Sequence, residues 1–229
     1  MICFVAALQR ELEPVIAQYS KKSKRYGYAT VHECELDGKS FLLMVSGMGK
    51  VFSGMSVAGL INSKDYPVDI IINIGVGGSL VPDKAGLLSC ILGSSFIQHD
   101  MDSSPLGDPI GMISGICVTE FEANKDCLKK LEATCAKLSY PHYEGLICSG
   151  DQFIASQKEI DHIFHNYPRT ISVDMETAAF AQGCYVHNVP FAAIRFISDT
   201  GHPGEYEKYF SACRERIAEF IPAFIKDNA

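Results

Sequence analysis

The sequence predicts an α/β protein, a three-layer α/β/α architecture around a mixed central sheet. Apolar runs at residues 2–8, 68–74 and 191–197 have the length and composition of strands that are buried on both faces. Segments with a helical period of 3.6 residues separate these runs, and such alternation places helices on both faces of a sheet. Since 229 residues with 47% hydrophobic content suffice for one large core, we expect a single domain over residues 1–229.

The first half of the chain predicts the antiparallel part of the sheet and a closely packed helix. Residues 28–36 and 40–45 alternate apolar and polar side chains on either side of Asp37-Gly38, which is a strong hairpin signal. The basic cluster of Lys21, Lys22, Lys24 and Arg25 predicts a solvated loop. Residues 51–61 predict a helix of small residues.

The second half predicts four further helices and two shorter strand regions. Residues 87–97 predict one or two strands and residues 145–148 another, whereas residues 99–115 form a loop too long to be a simple connection. An amphipathic helix is predicted over 119–138, with Phe121 on its inner face, and a short one over 160–167. Two more helices are predicted, one starting at Met175 and ending before Asn188 and Pro190, and one from about 206 to 225.

Composition excludes several functional classes. A net charge of −7 argues against a nucleic-acid surface, which needs a basic patch. The nine cysteines include no C-x-x-C pair, and with the scattered histidines they form no zinc-binding pattern, so buried free thiols in a reducing compartment are expected. No basic leader and no apolar run of membrane-spanning length are present, which predicts a cytoplasmic protein without membrane contact.

Charged residues stand where predicted strands end and a helix begins. Glu11 follows the first strand, Asp174 and Glu176 lie at a helix start, and Asp199 ends the strand that contains Arg195. Ligands of open α/β sheets bind at this carboxyl edge. A second interpretation remains open for each of Glu11, Asp174 and Asp199, namely a helix cap or first-turn acid. An arginine inside an apolar strand needs an anionic partner, either Glu176 or another acid.

Two glycine-rich turns follow strands, S-G-M-G-K at residues 46–50 and G-V-G-G-S at 75–79. Glycines let backbone N–H groups approach an oxygen-rich ligand. The spacing is neither that of a P-loop nor G-x-G-x-x-G.

Several separated motifs together resemble the nucleoside phosphorylase/nucleosidase superfamily, and most of all its bacterial 5'-methylthioadenosine/S-adenosylhomocysteine nucleosidases. They occur in family order over nearly the whole chain. The motifs are A-A-L-Q-R-E-L at 6–12, S-G-M-G-K at 46–50, N-I-G-V-G-G at 73–78, H-D-M-D at 99–102, S-G-D-Q-F-I at 149–154, V-D-M-E-T-A-A at 173–179 and R-F-I-S-D at 195–199.

The resemblance implies roles for the charged residues. Glu11 would deprotonate the attacking water, with Arg195 close by, and Asp199 would protonate purine N7, oriented by Ser198. This suits the chemistry, because cleavage of an N-glycosidic bond leaves negative charge on the departing base and acid catalysis is worth roughly 10²–10⁴-fold. An aspartic acid must have its pKa raised by burial to hold that proton, while the other acid must stay ionised. No metal or organic cofactor is required.

The resemblance also implies the contacts that hold the nucleoside. The substrate-binding residues that it implies are Leu8, Met48 and Phe153 around the 5'-alkylthio group, Phe153 and Ile154 at adenine, Met175 and Glu176 at the ribose, Gly77 of the second glycine-rich turn, and Leu106 of a partner subunit. A loop around Leu106 would close the pocket of the other subunit, which implies a homodimer.

Four positions depart from the family pattern. Asp174 and Thr177 replace a glutamate and an alanine, Val76 replaces a small hydroxyl residue, and Leu106 replaces an aromatic one. The T-G-H-P-G-E-Y segment after Asp199 is also shorter than usual.

The expected activity is hydrolysis of the N-glycosidic bond of 5'-methylthioadenosine, S-adenosylhomocysteine and related 5'-substituted adenosines, with release of adenine. Phosphorolysis is the alternative, but neither glycine-rich turn carries the arginine that clamps phosphate. A futalosine-type or 5'-deoxyadenosine hydrolase is a near variant. A non-catalytic nucleoside-binding protein is the third possibility, which Val76 leaves open.

Overall fold

The computed structural model describes all residues from Met1 to Ala229. Ten strands form one sheet and six α-helices flank it. The strands are β1 (Ile2–Ala6), β2 (Ser20–Tyr26), β3 (Ala29–Leu36), β4 (Lys39–Val45), β5 (Ile70–Ser79), β6 (Cys90–Gln98), β7 (Phe121–Glu122), β8 (His142–Ser149), β9 (Thr170–Asp174) and β10 (Phe191–Asp199). The helices are α1 (Gln9–Tyr19), α2 (Lys50–Ser63), α3 (Lys125–Lys137), α4 (Gln157–Asn166), α5 (Thr177–Val186) and α6 (Pro203–Asn228), with one 3₁₀ turn at Ser104–Leu106.

Two hydrophobic cores lie on opposite faces of the sheet, which confirms the predicted three-layer α/β/α fold. On one face Leu12 of α1, Leu131 of α3 and Ile217 of α6 are buried in one cluster. On the other face Val57 of α2 and Phe180 of α5 are buried in a second cluster. The apolar strands between them are therefore covered on both sides, as their composition requires.

The sheet is mixed, and part of it closes on itself. Strands β4, β1, β5 and β10 are parallel neighbours, and the β3–β4 hairpin adds the predicted antiparallel pair. Strand β6 pairs antiparallel with β10 and parallel with β8, β8 pairs with β9, and β9 returns to β5. The five strands β5, β10, β6, β8 and β9 thus form a closed ring, with β1 to β4 extending from β5.

Strand β5 changes partner along one edge. Strand β1 pairs with its first half, from Ile70 to Asn73, and β9 pairs only with Gly78 and Ser79. Between these two partners the segment 74–77 has no strand on that edge. The second glycine-rich turn is therefore the end of a strand. Its backbone N–H groups on this unpaired edge are free to bind side chains or a ligand.

Two predictions about local structure are wrong. The basic segment at Lys21, Lys22, Lys24 and Arg25 is not a loop but edge strand β2, paired with β3 and held by the Lys22–Glu33 and Lys24–Asp65 ion pairs. Lysines on an edge strand protect it from pairing with another chain.

Phe121 does not lie on a helix. It belongs to β7 and pairs with β6, because α3 begins only after Asn124, whose side chain accepts a hydrogen bond from the Cys127 N–H at 2.9 Å. A cap of this kind sets the first turn of a helix.

The nine cysteines are all free, as expected, and eight of them are buried. Cys117, which lies in the loop before β7, is the exposed exception. None of the six helices is both long enough and apolar enough to cross a membrane.

Candidate active site

A cleft lined by 17 residues opens at the carboxyl ends of β1, β5 and β10. This is the sheet edge at which the sequence places the charged residues, and ligands of open α/β sheets bind there. Ten of the twelve predicted site residues line it: Leu8, Glu11, Met48, Gly77, Phe153, Ile154, Met175, Glu176, Ser198 and Asp199.

Glu11 is the third residue of α1 and lies buried at one end of the cleft. One carboxylate oxygen accepts the Leu8 N–H at 2.9 Å, so Glu11 does brace its own helix start. The other accepts the Val76 N–H at 3.0 Å, on the unpaired edge of β5. Burial raises the pKa of Glu11, while these two N–H groups and the Arg195 guanidinium act in the opposite direction by favouring the ionised form.

Asp199 ends β10 and lies buried in the same cleft. The Ser198 hydroxyl donates to one carboxylate oxygen at 2.9 Å, and the Gly201 N–H donates to the other at 3.0 Å. Asp199 does not cap α6, because His202 occupies the cap position. Burial raises the pKa of Asp199 above its usual value, and the nearby Glu205 adds to this.

The two acids flank the glycine segment of β5. An ideal Cβ on Gly75 would lie 2.7 Å from the Glu11 carboxylate, and one on Gly78 would lie 3.1 Å from that of Asp199. Three residues of strand separate these points, which corresponds to about 10 Å at 3.3 Å per residue.

Glu176 precedes the first residue of α5, which begins two residues later than the predicted Met175. Its carboxyl accepts the Gly49 N–H at 2.8 Å, so it ties the first glycine-rich turn to the cleft. Burial and the charge of Asp174 raise the pKa of Glu176 to about 8. Burial and the Asp174 charge thus favour the protonated form, which can both donate and accept a hydrogen bond.

The anionic partner of Arg195 is Asp174 and not Glu176. The Arg195 Nε and Nη2 atoms lie 2.6 and 2.5 Å from the Asp174 carboxylate, and both side chains are buried. Asp174 also accepts the Thr177 hydroxyl and the Ser149 hydroxyl. A helix-cap role alone does not describe Asp174, because its main partner is a strand residue.

Two predicted site residues do not line the cleft. Arg195 lies behind Glu11. The Arg195 Nη1 atom and the Glu11 carboxylate both lie on the same side of Gly75. Leu106 lies on the 3₁₀ turn and is 87% exposed. The role implied for Leu106 concerns a second subunit and stays a prediction.

Sequence reasoning missed Tyr206 and Gln152, which also line the cleft. The Tyr206 ring packs edge-on against Phe153 with centroids 5.9 Å apart, and its hydroxyl accepts a hydrogen bond from Arg10. In the sequence Tyr206 is one more residue at the start of an amphipathic helix, and only the docking of α6 brings it to Phe153.

Val76 stands where the family has a small hydroxyl residue, and this difference does not remove the backbone hydrogen bond to Glu11. The Val76 side chain packs against the core on the α1 side of the sheet, and its contribution to Glu11 comes from the backbone N–H. A valine supplies that donor as well as any other residue with an N–H.

The arrangement can protonate a leaving group at one end and activate a nucleophile at the other, beside an apolar wall. No group of three or more His, Cys, Asp or Glu side chains is arranged to hold a metal ion.

A family model and a curated relative both match nearly the whole chain. Residues 1–226 match the model of the phosphorylase superfamily. The 5'-methylthioadenosine/S-adenosylhomocysteine nucleosidase of Actinobacillus succinogenes is 31% identical over 99% of this chain and 94% of its own length.

Solved structures show the same fold. The nucleosidase of the same name from Neisseria meningitidis, in complex with methylthio-immucillin-A, is 25% identical, with a TM-score of 0.91 over 99% of this chain and 98% of that one. Futalosine hydrolase from Helicobacter pylori is 23% identical, with a TM-score of 0.91 over 99% and 97%, and at this identity it shows the fold alone.

The match over nearly the whole chain confirms the resemblance found in the sequence motifs. The chain belongs to the phosphorylase superfamily.

Proposed function

We propose that this protein hydrolyses the N-glycosidic bond of 5'-methylthioadenosine, S-adenosylhomocysteine and related 5'-substituted adenosines, releasing adenine. The observation that carries the proposal is the pair of buried carboxyls, Glu11 and Asp199, at opposite ends of the glycine segment in one cleft. The curated relative that is 31% identical bears the name of this activity.

Asp199 acts as the general acid. Burial raises its pKa, which favours the protonated form that can donate to purine N7 as the glycosidic bond breaks. The Ser198 hydroxyl holds one oxygen at 2.9 Å and the Gly201 N–H the other at 3.0 Å, so the carboxyl is oriented before substrate binds.

Glu11 acts as the general base for the attacking water. The N–H groups of Leu8 and Val76 and the charge of Arg195 favour the ionised carboxylate against burial. Burial raises the pKa of both carboxyls, and Glu11 differs from Asp199 in having a buried guanidinium nearby, which favours its ionised form. Both products then form without a covalent intermediate on the protein.

The remaining cleft residues hold the nucleoside. Glu176 binds the ribose hydroxyls and Met175 packs against the sugar. Phe153 stacks on adenine, with backbone groups of Phe153 and Ile154 at its edge and Gly77 beneath the sugar. Leu8 and Met48 line the pocket for the 5' group.

Hydrolysis is favoured over phosphorolysis because no cation in the cleft is free to bind phosphate. Arg195 is engaged by Asp174, Arg10 packs on the Tyr206 and Phe210 rings, and Lys50 pairs with Asp100 at 2.5 Å. Three N–H groups of the first glycine-rich turn are also occupied, since Gly47, Gly49 and Lys50 donate to Ala7, Glu176 and Asp151. A phosphorylase needs such groups for its second substrate.

We also propose that two copies form a homodimer, with Leu106 of one near the cleft of the other. Large apolar side chains are exposed at the cleft rim and on α2, which starts there: Met48, Val51 and Met55, besides Leu106. A neighbouring subunit would bury this surface. Sedimentation equilibrium should give twice the 25.1 kDa chain mass, and a monomer at assay concentration would contradict the proposal.

A cytoplasmic location is proposed from the thiols. Nine free cysteines persist in a reducing compartment, where disulfides are rare.

The first experiment follows adenine release from 5'-methylthioadenosine in phosphate-free buffer. We expect turnover without phosphate, and loss of at least about 10²-fold in kcat in Asp199→Asn, which removes the acid without changing its size. The exposed Asp83→Asn is the matched control and should keep full activity.

Three outcomes would overturn the proposal. Turnover only with added phosphate would make the protein a phosphorylase. Binding of nucleoside without turnover would make it a binding protein. Turnover of futalosine or of 5'-deoxyadenosine, with none of 5'-methylthioadenosine, would mean that the protein acts on a nucleoside with a different 5' substituent.

A further inference from the structure

A closed polar network lies behind Glu11 in the region between β5, β9, β10 and α5. Its four members are Asn73, Asp174, Thr177 and Arg195, and the side chains of all four are buried. Only Asp174 borders the cleft. The roles given above to Glu11 and Arg195 leave the Thr177 hydroxyl and the Asn73 amide without a function.

Arg195 is the centre of this network. Its Nε atom donates to Asp174 Oδ2 at 2.6 Å, and Nη2 lies 2.5 Å from the same oxygen as an ion pair. The Nη2 atom donates to the Thr177 hydroxyl at 2.6 Å and to the Asn73 side-chain oxygen. Its Nη1 atom is left to face Gly75, where an ideal Cβ would lie 2.6 Å from Nη1 and 2.7 Å from the Glu11 carboxylate. The guanidinium therefore pairs with Asp174 and has its Nη1 side near Glu11, without a direct ion pair to it.

Asp174 alone cannot fix the plane of that guanidinium. Its Oδ1 atom accepts the Ser149 hydroxyl and the Glu176 N–H, which leaves Oδ2 as the single acceptor for Arg195. One acceptor atom allows the guanidinium to pivot. The Thr177 hydroxyl and the Asn73 side-chain oxygen supply further points, because both accept from Nη2. The hydroxyl in turn donates a hydrogen bond to Asp174 or to Asn73.

The position of Thr177 is set by the fold. It is the first residue of α5 and is fully buried, at the place where the helix start meets the polar end of β9. A hydroxyl there is costly to bury without partners, and this one has three.

Several charged or titratable groups face Glu11. They are Arg10 on its own helix, Arg195 on β10, Glu176 before α5, Tyr206 on α6 and, farther along α6, Cys213. Arg195 is the buried cation of this set, whereas Arg10 is exposed. Burial raises the pKa of Glu11, and the Arg195 guanidinium is the buried cation that, with the Leu8 and Val76 N–H groups, acts in the opposite direction.

We propose that Thr177, supported by Asn73, is a positioning residue for the proposed hydrolysis, whose hydroxyl holds the Arg195 guanidinium against Glu11 so that Glu11 is ionised when water attacks. The inference rests on the function proposed above. In this proposal Thr177 touches neither substrate nor water. It acts through Arg195 on the general base, Glu11.

The test compares Thr177→Val with wild type over a pH range, with 5'-methylthioadenosine as substrate. Valine keeps the shape and removes the hydroxyl, so Nη2 loses one acceptor. We expect kcat to fall about tenfold, as for one hydrogen bond to a charged group, with little change in KM. The acidic limb of kcat/KM should move to higher pH by half a unit or more, because burial of Glu11 is then less opposed.

Two further variants separate positioning from a merely structural role. Thr177→Ser restores the hydroxyl and should restore both the rate and the pH profile. Thr134→Val is the matched control, because Thr134 is another buried helical threonine whose hydroxyl donates to a backbone carbonyl, at 2.9 Å, far from the cleft. It should leave the profile unchanged.

An acidic limb in Thr177→Val that coincides with wild type would overturn the proposal, as would failure of serine to rescue. If the valine variant does not fold, Thr177→Ala removes the same hydroxyl with a residue that favours helices, and it must show the same shift. Wild-type turnover tests the proposed function separately, so the two failures are distinguishable.

Discussion

Replacement of Gly75 by alanine would place a methyl group between Glu11 and Arg195. The backbone of Gly75 is not in a left-handed conformation, so an alanine can adopt it. Its Cβ would lie 2.6 Å from Arg195 Nη1 and 2.7 Å from the Glu11 carboxylate, whereas ordinary contacts begin at 3.4 Å. Each group would have to withdraw by about 0.7–0.8 Å.

The magnitude follows from the hydrogen bond that this movement breaks. The Glu11 carboxylate accepts the Val76 N–H at 3.0 Å, and a withdrawal of this size takes the pair beyond hydrogen-bonding distance. A hydrogen bond to a charged group contributes about 1.5–3 kcal/mol, which corresponds to a loss of roughly 10- to 100-fold in kcat/KM. Overpacking by one methyl group costs about 1–3 kcal/mol of folding free energy, which lowers Tm by about 2–12 °C.

Steady-state adenine release and thermal unfolding, measured on the same preparation, test both parts. Gly115→Ala is the control, because Gly115 is exposed and an added Cβ there meets nothing within 4 Å. A Gly75→Ala variant whose kcat/KM stays within about twofold of wild type would refute the reasoning. It would mean that Glu11 and Arg195 need not meet at this glycine.

Two further predictions concern the buried charges. Because the pKa of Glu176 is raised to about 8, its proton stabilises the fold fully below its unfolded value of 4.5, and this contribution is lost as pH rises to about 8. The urea midpoint of wild type should therefore fall as the pH rises over this range. In Glu176→Gln the midpoint should depend less on pH. An equal pH dependence of the midpoint in the two proteins would show that Glu176 is ionised throughout. Replacing Arg195 by methionine leaves the Asp174 carboxylate buried without its cation, which should cost about 3–5 kcal/mol of unfolding free energy. The Asp174→Asn, Arg195→Met double variant should recover part of that loss in urea unfolding, and a double variant less stable than the single one would show that the pair is not the source of the effect.

The fold class and most of the cleft could be predicted from the amino-acid sequence. The spacing of apolar residues along a strand or a helix shows which of its faces is buried. The layers of the fold could therefore be predicted from residues that are near one another in the chain. The carboxyl-edge rule then placed Glu11, Glu176 and Asp199 at one end of the sheet, and the motif resemblance placed Leu8, Met48 and Phe153 beside them.

Which charged side chains form ion pairs is set by the tertiary structure. Asp174 and Glu176 are two residues apart, and nothing local distinguishes the acid that pairs with Arg195 from the one that faces the cleft. That choice depends on β9 lying beside β5 while β5 pairs with β10, a contact among three strands that are distant in sequence. The same holds for Tyr206, which reaches Phe153 only because α6 packs across the sheet, and for β2, whose basic residues look solvated until β3 pairs with them. Local periodicity reports which face of an element is buried, whereas the partner of a buried charge is set by non-local packing.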